Sequence, residues 1–166
     1  MKKLLKWDNI KDYVYIIICV VLIRTFIVTP AIVSGASMDN TLKDGQLIII
    51  NKFVYRFNEI DRFDIVVVKN RQDNDKIIKR VIGLPNETIE YKDNKLYING
   101  ELMLTDFKAG DTNDFKVTTD EGEYFVLGDN RPVSKDSRML GNFKEKDIVG
   151  KVSIRLYPFN KIGIVK

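Results

Sequence analysis

The chain contains no histidine and a single cysteine, Cys19. Without His there is no Ser-His-Asp or Cys-His nucleophile pair, no HExxH metalloprotease site and no His-ligated haem or zinc. One Cys allows no internal disulfide, no cysteine zinc cluster and no iron–sulfur centre. Any acid–base chemistry falls to Lys, Asp, Glu or Tyr, and neither a cofactor nor a metal is expected. Proline and glycine are sparse as well: four Pro and ten Gly in 166 residues leave little room for low-complexity linkers. What is present, 45% apolar and 30% charged residues, is the balance of a folded globular domain rather than a disordered chain.

The body of the chain also lacks a charge excess. The formal charge is +4, but Lys2, Lys3, Lys6, Lys11 and Arg24 against Asp8 and Asp12 place +3 of it in the first 33 residues, leaving +1 for the other 133. A nucleic-acid-binding domain concentrates basic charge on its folded face to displace phosphate counterions. No nucleic-acid partner is therefore expected, and the basic excess points to a membrane.

The most apolar segment runs from Tyr13 to Val33, interrupted by Arg24 and Pro30. About 20 helical residues span a hydrocarbon core of roughly 30 Å. Tyr13 to Ile23 alone is too short, and reaches that length only if Arg24 snorkels to one interface and part of Met1–Asp12 extends the other end. The N-terminal lysines then predict a cytoplasmic N-terminus and an external C-terminal part. Cys19 reads as a lipid-facing or packed thiol without chemistry. A cleavable signal is the alternative, with Ser34 and Ala36 as small residues at −3 and −1, but Arg24 and Pro30 count against it. The expected organisation is a cytoplasmic stub and transmembrane anchor over residues 1–33 and an exported domain over residues 34–166.

Beyond residue 34 the apolar runs are short and β-branched. Leu47–Ile50, Ile65–Val68, Ile77–Ile82, Tyr124–Leu127 and Ile148–Leu156 read as strands. Glu87–Tyr91 and Lys95–Ile98, joined by Lys92-Asp93-Asn94, read as a hairpin. The predicted fold is mostly β, an antiparallel-sheet domain with one N-terminal transmembrane helix. Asp106–Thr119 is polar and irregular and reads as an exposed loop.

Four stretches carry more than folding requires: Gly35-Ala36-Ser37-Met38, a Ser among small residues; Lys79-Arg80 inside an apolar strand; Gly128-Asp129-Asn130-Arg131; and Ser134-Lys135-Asp136-Ser137-Arg138. Singly, each has an ordinary explanation as a solvated loop, a polar strand face or an Asx-turn. Together and in this order they resemble the type I signal peptidases, membrane-bound serine proteases that cleave signal peptides from exported proteins. Ser37-Met38-Asp39-Asn40-Thr41-Leu42 is similar to the nucleophile box, Arg62–Val67 to the R-G-D-I-V-V segment, and Lys79–Pro85 to the general-base box. Gly128–Arg138 matches G-D-N-R-x-x-S-x-D-S-R in full.

The resemblance implies a Ser–Lys dyad, with Ser37 as nucleophile and Lys79 as general base. Lysine is protonated at its ordinary pKa of about 10.4 and is a base only when burial lowers it; the neighbours Ile77, Ile78, Val81 and Ile82 would supply that burial. It further implies that Ser134 hydrogen-bonds and orients Lys79, that Asp136 and Arg138 form a supporting ion pair, and that Asp129, Asn130 and Arg131 hold the loop. The Ser37 backbone N–H is expected in the oxyanion hole. Gly35 stands where some relatives carry a hydroxyl, so the second donor is expected from the backbone. Extended signal peptides with small residues at −1 and −3 would pair with a strand around Ile32-Val33 and the one near Ile77-Ile78, at the outer face of a bacterial plasma membrane.

Asn40 replaces a usual Pro, Phe63 a Gly, and Asn86-Glu87 a common Gly-Asp. None removes a reacting group, and they suggest an enzyme specialised for a substrate subset such as pilins. Two other readings stand beside the protease: a non-catalytic signal-peptidase-like assembly factor or chaperone for surface structures, and a secreted β-domain binding module with a cleaved signal.

Overall fold

A computed structural model describes residues 7–165. Lys2, Lys3 and Lys6 lie outside the described residues, and Arg24 lies outside those whose side chains are described. The first element is helix α1, Trp7–Phe26. Its side chains from Tyr13 to Leu22 are exposed, Cys19 among them. Among the described residues no helix is long and apolar enough to cross a membrane; Asp8, Lys11, Asp12 and Arg24 all fall within α1 and shorten its uncharged run.

The apolar run does not stay helical to its end. Val28–Ile32 forms strand β1, antiparallel to β2, Leu47–Asn51, so the sheet begins within the segment read as anchor. Pro30 is tolerated because β1 is an edge strand, where a missing N–H breaks no inner ladder. The remaining strands are β3 (Ile65–Lys69), β4 (Lys76–Gly83), β5 (Thr88–Lys92), β6 (Lys95–Ile98), β7 (Glu101–Met103), β8 (Phe115–Thr118), β9 (Glu123–Leu127), β10 (Phe143–Lys144), β11 (Ile148–Tyr157) and β12 (Gly163–Ile164). They form two sheets. The larger has the order β1-β2-β11-β3-β4-β9-β10 with β12 added to β11, and the smaller β7-β6-β5-β8. Neighbours pair antiparallel throughout.

The Ile65–Val68 run is unbroken because β3 is buried on both faces. Ile65 and Val67 join a core with Met38, Leu42 and Ile48, while Val66 and Val68 join another with Val81, Val126 and Phe143. The β5–β6 turn places Asp93 and Asn94 both at positive φ, the pattern of a two-residue hairpin. A third core, with Ile82, Ile89, Phe125 and Leu127, joins the two sheets. The segment read as one exposed loop, Asp106–Thr119, contains β8 and a half-buried Phe107. Its alternating Phe115-Lys116-Val117-Thr118 pairs antiparallel with β5 and turns Phe115 and Val117 onto the third core. A short helix α2, Ser137–Leu140, follows the motif-rich loop.

Candidate active site

The turn carrying Ser37 is held from below. Met38 and Leu42 are buried in the core, and the Thr41 and Leu42 N–H groups both donate to the Met38 carbonyl. Gly35 enters this turn at φ +87, a conformation that side chains rarely adopt, and its N–H donates to Asp44 Oδ1 at 2.8 Å. On the far side the Asn130 N–H donates to the Ser37 carbonyl at 3.0 Å, and Asn130 Nδ2 to the Ala36 carbonyl at 3.0 Å.

Lys79 lies on β4 opposite Val66 of β3 and is only 2% exposed. Its Nζ donates to Ser37 Oγ at 2.8 Å and to the Ile78 carbonyl at 2.9 Å. Burial pushes its pKa down to about 8, against the opposing pull of Asp136, Asp75 and Asp129. A lysine so placed is substantially neutral at mildly alkaline pH and is within direct reach of the hydroxyl proton.

Ser134 is buried, yet its hydroxyl has no hydrogen-bond partner among the described residues. This corrects the expected Ser134–Lys79 bond. β9 pairs with β4 only from Arg80 onward, which leaves the Ile78 carbonyl within reach of the ammonium, and that carbonyl takes the second hydrogen bond. Ser134 nonetheless packs at the site. A Cβ added to Gly128 would lie 2.2 Å from Ser134 Oγ and 2.5 Å from the Ser37 carbonyl oxygen.

The Asp136–Arg138 ion pair is present, with Nε to Oδ1 and Nη2 to Oδ2 both at 2.8 Å. Asp136, wholly buried, also accepts the Gly128 N–H at 3.1 Å, and so fastens one end of the loop to the other. Arg131 is buried too, donating to the Gly128 carbonyl and to Thr112 Oγ1 with its guanidinium over the Tyr91 ring. Asp129 takes a partner that the basic dipeptide concealed. Arg80, next to Lys79, donates to it through Nε at 2.9 Å and Nη2 at 2.7 Å, and Thr41 Oγ1 donates to the same carboxylate at 2.5 Å.

Of the three departures, two sit where a left-handed backbone is required: Asn86 at φ +61 and Phe63 at φ +71. The third, Asn40, uses its side chain as Pro could not, donating from Nδ2 to the Asp129 carbonyl at 3.2 Å. Glu87 pairs with Arg62; burial works against its charge, but the Arg62 hydrogen bonds and the Leu84 N–H outweigh it and hold the carboxyl below its usual range.

Ser37 and Lys79 open into a cleft of about 350 Å³ lined by Ile32, Val33, Met38, Ile77 and Ile78. Its walls are the end of β1 with the residues that follow it and the 76–79 edge of β4, beside which, among the described residues, no strand lies on the β9 side. An extended peptide could pair with that edge. Among the described residues no cluster of His, Cys, Asp and Glu is arranged to hold a metal ion.

Residues 6–157 match the family model described as signal peptidase, peptidase S26. The chain is 39% identical over 180 aligned positions to signal peptidase IB of Staphylococcus aureus (strain Mu50), covering 96% of this chain and 93% of that one. It is 45% identical over 137 positions to signal peptidase I V of Bacillus subtilis (strain 168), covering 73% and 81%. The crystal structure of a signal peptidase I from Enterococcus faecalis V583 superposes with a TM-score of 0.53 at 36% identity, over 58% of this chain and 98% of that one.

Proposed function

The chain belongs to the signal peptidase family, peptidase S26, whose activity is the endoproteolytic removal of signal peptides from exported preproteins, and we propose that Ser37 and Lys79 perform it as nucleophile and general base. The observation that carries this reading is the 2.8 Å contact between Lys79 Nζ and Ser37 Oγ at the floor of an apolar cleft. Neutral Lys79 takes the Ser37 proton as Oγ attacks the scissile carbonyl. It then returns that proton to the leaving amine, and the resulting acyl-enzyme is hydrolysed by a water that Lys79 deprotonates. The Ser37 N–H faces the developing oxyanion with a second backbone donor. Ser134 packs beside the dyad, and Asp129, Arg131, Asp136 and Arg138 hold the loop that supports it. Small side chains at −1 and −3 fit the shallow walls around Val33 and Ile78.

Membrane anchoring by α1 belongs to the same reading, with the N-terminus cytoplasmic and the catalytic domain outside. Tyr13 to Leu22 exposes an almost wholly apolar helix surface to the surroundings. The sheet that follows presents exposed Ile32, Ile154, Tyr157 and Ile164, and the turn after β11 adds Phe159, apolar surface suited to lie against lipid. Dedication to a narrow substrate set, pilin-like precursors for example, rests on the motif departures alone.

The test is incubation of the detergent-solubilised full chain with a panel of signal-bearing precursors, reading product N-termini. Wild type should release mature chains cut after a small residue, and Ser37→Ala and Lys79→Ala should release none. Processing by Ser37→Ala at the wild-type rate would remove the Ser37 assignment, and a wild type that cleaves none of the precursors would favour the assembly-factor reading.

A further inference from the structure

Phe63 holds a bulky side chain at φ +71, a conformation that favours glycine and persists in other residues only where surrounding structure enforces it. The enforcing contacts are visible. The Phe63 N–H donates to the Val81 carbonyl at 2.8 Å, and the Phe63 carbonyl accepts from Arg80 Nη1 at 2.9 Å. The left-handed turn thus delivers a backbone oxygen to the guanidinium that pairs with Asp129. The ring packs edge-on against Phe107, centroids 5.3 Å apart, and the Phe107 ring in turn lies 4.1 Å from the Arg80 guanidinium carbon.

Phe107 lies in the irregular stretch between β7 and β8, far in sequence from every catalytic motif. The same stretch reaches the other half of the pair: the Gly110 N–H donates to the Asp129 carbonyl at 2.8 Å, and Thr112 Oγ1 accepts from Arg131. This segment of the smaller sheet is therefore a strap across the buried Arg80–Asp129 pair, with Phe107 as its apolar roof. The pair is tied to both halves of the dyad. Arg80 follows Lys79, and Asp129 precedes Asn130, whose N–H holds the Ser37 carbonyl. A charged pair keeps its strength only while water is excluded, and a guanidinium against a ring face stays desolvated favourably.

We propose that Phe107, seated by Phe63, is a positioning residue of this enzyme: it keeps water from the Arg80–Asp129 pair and through that pair sets the separation of Ser37 from Lys79. The proposal rests on the Ser37–Lys79 reading, so precursor cleavage by wild type and its loss in Ser37→Ala are measured first, and a failure there is a failure of that reading alone.

With that established, kcat and KM are measured for Phe107→Ala, Phe107→Leu, Phe107→Tyr, Phe63→Gly and the Phe63→Gly/Phe107→Ala double variant, all well below their unfolding temperatures. Phe107→Ala should lower kcat about tenfold or more while KM moves less than about twofold, the mark of lost alignment rather than lost binding. Phe107→Tyr should restore most of the rate, and Phe107→Leu, which keeps volume but not the ring face, should lose about threefold. Phe63→Gly should also lose kcat, and the double variant should be no slower than Phe107→Ala, because the two rings act as one unit. Wild-type kcat in Phe107→Ala, or independent multiplying losses in the double variant, overturns the proposal. If the Ala chain does not fold, Phe107→Leu decides: a threefold loss of kcat supports the strap, and a wild-type kcat overturns it.

Discussion

Arg80 and Asp129 meet through two hydrogen bonds across 49 residues of sequence, with side chains 1% and 0% exposed. Folded around the two charges are Thr41 Oγ1, the Phe63 carbonyl and the Phe107 ring of the strap. Removing one partner leaves the other as an uncompensated buried charge. Asp129→Ala should therefore lower unfolding stability by about 3–5 kcal/mol, whereas an Arg80→Met/Asp129→Leu double variant should lose much less. Urea midpoints of the three chains decide it; equal losses in the single and double variants would mean that the pair contributes packing rather than charge balance.

Gly128 is confined by contact and not by backbone conformation. Its neighbours in the space of a Cβ are the Ser134 hydroxyl and the Ser37 carbonyl oxygen, the latter fixed by the Asn130 N–H. Backbone cannot rotate away as a side chain can, so a methyl group here must displace the nucleophile's own peptide. Gly128→Ala is expected to fold and to lose about 100-fold in kcat, the scale on which a displacement of about 1 Å acts. Single-turnover cleavage of a precursor measures it, and a loss below about fivefold would show that the Ser37 turn is softer than its hydrogen bonds imply.

How much of this was readable from the chain depended on whether the information was local. Ser37, Lys79 and the Asp136–Arg138 pair lie within short linear motifs and could be named directly. The Arg80–Asp129 pair could not, because nothing in a single sequence sets the register between β4 and the loop after β9; Arg80 read merely as the second half of a basic dipeptide. A strand was expected around Ile32-Val33, but the rest of β1 was hidden for a different reason. A short apolar run such as Val28–Ile32 has the same composition in a membrane helix and in an edge strand, and periodicity does not separate them. The expected Ser134–Lys79 bond failed on a detail of strand pairing, since the ammonium takes the Ile78 carbonyl instead.

Asn86 offers a separate check on the backbone. At φ +61 and exposed on the turn after Pro85, it makes its contribution through conformation. A left-handed residue with a Cβ costs about 1–2 kcal/mol, least for Asn. Asn86→Ala should therefore destabilise by about 1 kcal/mol and Asn86→Gly should be neutral or slightly stabilising. Thermal unfolding of the two variants reads this, and a more stable Ala variant would contradict the left-handed assignment.

The depressed Lys79 pKa makes catalysis depend on pH with a definite sign. The reacting form is the neutral amine, so activity should rise from acid toward alkaline pH with a midpoint near the value of about 8 set by burial. Asp136, Asp75 and Asp129 all favour the ammonium. Replacing the exposed Asp75 by Asn should therefore move the midpoint toward lower pH without abolishing turnover. The pH profile of kcat/KM, which reports the free enzyme, in wild type and Asp75→Asn is the measurement; a midpoint that moves upward would reverse the inferred electrostatics.

The same lysine makes the site costly to fold. Its folded-state pKa of about 8 lies below the ordinary 10.5, so between those values the unfolded chain holds a proton that the folded chain has released. Stability contributed by this group thus rises with pH through that window and is lowest below pH 8, where the ammonium is buried. Lys79→Met removes the penalty while keeping an unbranched side chain in the strand. It should abolish cleavage and yet stabilise the protein at pH 7 by about 2–3 kcal/mol, the scale of a pKa difference of this size. The gain should shrink as pH rises toward 10.5, because the unfolded lysine then begins to lose its proton as well and the difference between the two states closes. Urea unfolding of both chains at pH 7 and pH 10 distinguishes this from simple repacking, which would give a gain independent of pH.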